Sequence, residues 1–139
     1  MPKNVKLRRA ALGAIGAAFL CGAPLRAETD KAAYTQWGKD LFMTHCAACH
    51  GDDGRGAGPA AAALKTGLSD LTLMSKTHDG TFPRLGVIAF IDGEKPIAAH
   101  GSREMPVWGP FFREREGKDV AARAVIYSLT DYLETIQQR

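Results

Sequence analysis

Two thiols and an imidazole stand together at Cys46-Ala47-Ala48-Cys49-His50, and this is where the sequence can do chemistry. Thiols three residues apart on a helical turn project the same way. Such a pair can serve as a redox dithiol, a disulfide, part of a zinc site or a covalent cofactor anchor. A redox dithiol calls for a thioredoxin-like βαβ setting, and the chain lacks that alternation. Zinc wants about four ligands. Beyond the cysteines only His45, His50, His78 and His100 remain, at no recognised spacing. A plain disulfide suits an oxidising compartment but leaves His50 without a role. C-x-x-C-H is the c-type haem attachment sequence. Each thiol forms a thioether to one vinyl group, and the next residue turns an imidazole nitrogen to the iron. One covalently attached haem c is therefore the expected cofactor, with Cys46, Cys49 and His50 holding it.

A second iron ligand must come from elsewhere in the chain. Met43 lies one turn before the motif on the same helix, on the wrong side for the opposite haem face. Met74 and Met105 remain, with His78 and His100 as competitors. Met74 sits in Leu71-Thr72-Leu73-Met74, where it can simply be core. Met105 sits in Ser102-Arg103-Glu104-Met105-Pro106-Val107-Trp108-Gly109, flanked by charge and by a proline that stiffens the loop.

These residues need elements to position them. Thr29 or Asp30 can cap a first helix running to about Cys49. Its apolar stripe is Ala33, Trp37 and Leu41, widened by Tyr34 and Phe42. Residues 51–58 form a polar glycine-rich loop. Pro59 opens a short helix through Leu64, and another turn covers Leu71 to Lys76. Residues 84–91 read as a helix, although VIAFI (87–91) is rich in β-formers. Residues 94–117 read as loop. Asp119 can cap a last helix to about Gln137, with Val125, Leu129, Tyr132, Leu133 and Ile136 on one face. Short helices joined by long loops build a poor core alone. An apolar non-protein group at the centre resolves this.

The first 27 residues carry a different signal. Lys3, Lys6, Arg8 and Arg9 precede an uncharged run, residues 10–25, which ends at Arg26-Ala27. A basic start, a short apolar run and a small exit residue describe a secretory signal peptide; cleavage is expected after Ala27. The alternatives are an uncleaved anchor facing the periplasm and a lipoprotein at Cys21. The anchor is opposed by the shortness of the run, the lipoprotein by the bulky Leu20. The whole chain of 139 residues has a net charge of +3. Residues 28–139 are 112 residues with 13 basic and 15 acidic side chains, a net charge of −2. The basic excess belongs to the export segment, no Lys/Arg stripe remains to track phosphates, and nucleic acid is excluded as a partner. No membrane span is expected after cleavage.

Taken together, the chain resembles the monohaem class I cytochrome c family. The resemblance rests on Gly38-Lys39-Asp40-Leu41-Phe42, Cys46 to His50, Gly58-Pro59, Met105 to Gly109 and Leu129-Thr130-Asp131-Tyr132-Leu133. It implies an all-α cytochrome c fold, with crossed N- and C-terminal helices, short helices and long loops wrapped around one covalent haem. Gly38 would permit close approach to the face bearing Leu129 and Tyr132, where Phe42 packs. Met105 would be the sixth iron ligand, with His100 the runner-up. The Pro59 carbonyl would accept a hydrogen bond from the His50 ring. Trp108 would pack on the haem or donate to a propionate, ordinary core being its alternative. The chain departs from mitochondrial-type members in lacking a lysine-rich face. The implied function is one-electron transfer in the periplasm between redox protein partners, by a carrier rather than an enzyme. A haem subunit of a periplasmic oxidoreductase is the alternative, followed by a haem enzyme or gas-binding protein with an open distal site.

Overall fold

A computed structural model of the chain describes residues 23–64, 67–93 and 105–138. Among them there are helices and turns and no strand, the all-α architecture expected. Five α-helices follow one another: α1 (Ala23–His45), α2 (Ala47–His50), α3 (Arg84–Asp92), α4 (Trp108–Glu116) and α5 (Asp119–Thr135). Three 3-10 turns, Ala61–Ala63, Leu71–Leu73 and Lys76–His78, lie between α2 and α3. The expected signal segment falls mostly outside the described residues.

α5 is the axis, and α1, α3 and α4 all pack against it. Its buried face is Ala122, Val125, Ile126, Leu129, Tyr132 and Leu133, the face expected from the 3.6-residue period. Ser128 and Thr130 are also buried there; each hydroxyl donates to a carbonyl of its own helix, of Val125 and Ile126. Asp119 is the first residue of α5 rather than its cap. Its carboxylate still suits the positive helix end and meets Arg123 at 3.1 Å.

α1 is described from Ala23, ahead of the expected cap at Thr29 or Asp30, and passes through Ala27. Its inward face keeps Tyr34, Leu41 and Phe42 of the expected stripe and adds Gly38, whereas Ala33 and Trp37 are exposed. The reason is Gly38. A Cβ there would collide with the Ser128 carbonyl of α5, so the two backbones meet where a side chain would not fit. Beside this contact the Tyr34 hydroxyl donates to the Ala124 carbonyl at 2.6 Å. The Phe42 and Tyr132 rings pack with centroids 5.3 Å apart, as the resemblance implied.

α3 is helical despite its β-formers. It closes at Gly93, whose N–H donates to the Ala89 and Phe90 carbonyls, and Arg84 pairs with Asp131 and Glu134 of α5. α4 corrects the reading of 94–117 as loop. Gly109 and Pro110 made that stretch look helix-breaking, yet they are the second and third residues of α4. First-turn N–H groups have no intrahelical partner, so proline is tolerated there.

Candidate functional site

α1 ends at His45 and the chain re-enters a helix at once. Cys46 is the hinge: its N–H still donates to the Phe42 carbonyl at 2.8 Å, while its own carbonyl accepts from Cys49 and His50 at 3.1 and 2.9 Å. This single turn, α2, carries both thiols and the imidazole. Its carbonyls are all taken up by the following loop. Gly51 donates to Ala47 (2.9 Å), Ala60 to Ala48 (2.8 Å), Gly58 to Cys49 (3.0 Å) and Gly56 to His50 (2.7 Å). Gly58 lies directly on the turn, since a Cβ there would stand 2.6 Å from the carbonyl oxygens of Ala47 and Cys49. The motif is thus held by backbone hydrogen bonds rather than by a large core.

Cys46 and Cys49 are free and half-buried. Burial pushes the Cys46 thiol up to about 12, with Cys49 adding to the effect. A thiol so raised stays protonated at neutral pH, unlike a reactive redox cysteine. Among the described residues no three His, Cys, Asp or Glu side chains gather to hold a metal ion. Burial also lowers the His50 pKa, so its imidazole is neutral. His50 Nδ1 is buried with no hydrogen-bond partner. The expected bond to the Pro59 carbonyl is therefore not made. Pro59 is exposed, between Gly58 and Ala60, whose N–H groups tie that segment to the α2 backbone instead.

The candidates for the second ligand separate. Met74 packs against the hydrophobic core. Its segment is fixed by Asp70, which accepts from Thr72, and by Gln137, which bonds Ser75 and Leu71. His78 is exposed and engages its own turn, Nδ1 lying 2.8 Å from the Met74 carbonyl. His100 lies outside the described residues. Met105 is half-buried, three residues ahead of the start of α4.

Trp108 lies in an aromatic cluster. Its ring stacks on Phe112 at 5.8 Å and meets His45 at 5.5 Å. His45 in turn touches Phe111 and Phe112 edge-on, at 5.6 and 5.7 Å. The sequence showed His45 only as a spare metal-ligand candidate. The signal that might have found it was the aromatic run Trp108, Phe111, Phe112 beside a histidine flanking the motif.

A half-buried imidazole whose neutral form is favoured, next to two free thiols, is a donor set that a covalently anchored haem can use. A family model described as cytochrome c matches residues 36–122. No curated protein and no solved structure matches the chain.

Proposed function

The chain belongs to the cytochrome c family, whose work is haem-based electron transfer, and on that premise we propose that it is an exported one-electron carrier with His50 and Met105 on the iron. The observation that carries this reading is His50, half-buried next to Cys49, with its Nδ1 enclosed and unpaired and its neutral form favoured by burial. Cys46 and Cys49 would hold the haem through thioethers, and the bonds from Gly56, Gly58 and Ala60 keep that turn in place. When bound, the haem supplies a one-electron Fe(III)/Fe(II) couple. The chain's own task is to hold, tune and present it. Met105 is the proposed thioether ligand, a reading supported by Met74 packing against the core and His78 bonding within its own turn. His50 and Met105 together would leave no iron site for a substrate, which suits one-electron exchange with redox protein partners. The N-terminal segment supports export to the periplasm, and among the described residues no helix is long and apolar enough to cross a membrane.

Mass spectrometry and visible spectra of the exported protein test this together. The mass of residues 28–139 plus one haem is expected. The ferric spectrum should show the weak long-wavelength Met–iron band, and Met105→Ala should abolish it, open the iron to added imidazole and lower the potential. A high-spin ferric spectrum in the unaltered protein would overturn the closed-site carrier.

A further inference from the structure

We propose that His45 is a positioning residue that, through Trp108, holds the segment carrying Met105 in place. His45 ends α1 and is bonded directly to Cys46, so its position is fixed with that of the covalent anchor. Trp108 begins α4, three residues after Met105. Their contact therefore joins the side of the site that grips the haem to the strap that bears the sixth ligand. The inference rests on the assignment of Met105 to the iron.

The start of α4 needs such a hold. Its first turn contains Gly109, which has little helix propensity of its own, and the preceding Val107 is extended. Local propensity does not keep Trp108 where it is, so tertiary contacts must. One comes from α3, where Gly93 faces Val107 and Asp92 faces Gly109. The other is His45, with its ring tilted at 54° to Trp108 and set nearly upright against Phe111 and Phe112. Phe112 is only 1% exposed, which fastens the cluster to the core. Aromatic pairs at these separations contribute beyond the area they bury. Burial lowers the His45 pKa, and the positive charge of Arg115 adds to it, so the ring remains a neutral aromatic surface.

Imidazole titration of the ferric holoprotein tests the hold, because the incoming ligand must displace Met105. His45→Ala should bind imidazole about tenfold more tightly than the unaltered protein, the scale of a few aromatic contacts. His45→Phe should restore the original affinity, since it keeps the ring. Trp108→Leu should resemble His45→Ala, and the double variant should fall short of the product of the two single effects, since both remove the His45–Trp108 contact. Unchanged affinity in His45→Ala overturns the proposal, as do single effects that multiply in the double variant. Should His45→Ala not accumulate as holoprotein, His45→Leu fills the volume without the ring and is expected to bind imidazole more tightly too; unaltered affinity there counts against the proposal. Failure of the Met105 assignment is seen separately. It shows as absence of the Met–iron band in the unaltered protein and as imidazole affinity unchanged by Met105→Ala.

Discussion

His45 packs three aromatic rings against an imidazole, and this makes stability depend on its protonation. Desolvation lowers its pKa in the folded protein, with Arg115 acting the same way. The unfolded chain keeps the ordinary value near 6.5. Below that pH the unfolded state therefore takes up a proton more readily than the folded state does. The stabilisation is fully present above about pH 6.5 and is lost as pH falls through the folded value. His45→Phe removes the titrating group and keeps the packing. Between pH 7 and 5 the melting temperature of the unaltered holoprotein should fall more than that of His45→Phe. Parallel melting curves for the two proteins would count against a buried neutral His45. Residues of this kind are hard to read from sequence. Cys46, Cys49 and His50 declare themselves by spacing, whereas His45 owes its surroundings to rings more than sixty positions away. The Pro59 bond that the resemblance implied is not seen, and His50 Nδ1 has no hydrogen-bond partner.

Among the elements, the joint between α3 and α4 has the clearest single support. Asp92 closes α3 with its side chain 8% exposed, and Arg113 of α4 donates to Asp92 Oδ1 at 2.7 Å. Arg113 is itself 39% exposed, so solvent screens part of the attraction. Removing the cation leaves a buried carboxylate without its charged partner, the more costly half of such a pair. Arg113→Leu is expected to destabilise the holoprotein by about 2 kcal/mol in denaturant unfolding. Adding Asp92→Asn should recover part of that loss. A denaturation midpoint unmoved by Arg113→Leu would show that the joint rests on Val107, Gly109 and Phe112 alone. α5 was legible in the sequence because its apolar positions follow the helical period, and α3 was read as a helix despite the β-formers of 87–91. α4 was not, because Gly109 and Pro110 signal a break everywhere except in a first turn. Trp37 of α1 reads as inward in the sequence for another physical reason. Counting large apolar residues favours Trp37, whereas the contact with α5 is made by Gly38, which has no side chain to count.

Over the whole molecule the protein core is lopsided. Among the described residues, eleven apolar side chains are buried, and all but Phe42 and Ala47 lie on α3, α4 and α5. Between α2 and α3 the described residues form three short 3-10 turns and hydrogen-bonded loop. Among them only part-buried Leu71, Met74 and Phe82 join the apolar cluster. This stretch is held by Leu71 N–H donating to Gly54 at 2.8 Å and by Gln137 and Gln138 reaching Leu71, Ser75 and Thr72. Backbone ordering costs about 1–2 kcal/mol per residue, and so few buried side chains do not offset it over residues 51–80. The haem is expected to supply the missing apolar surface, and a group bound only by the folded state stabilises that state. Cys46→Ala/Cys49→Ala, freed of any non-covalently held haem, should therefore lose cooperative melting at room temperature. Hydrogen exchange should be fastest over 51–80, while α5 keeps the most protection through its contacts with α1, α3 and α4. A haem-free double variant that melts cooperatively within a few degrees of the holoprotein would show that the chain builds its core without the cofactor.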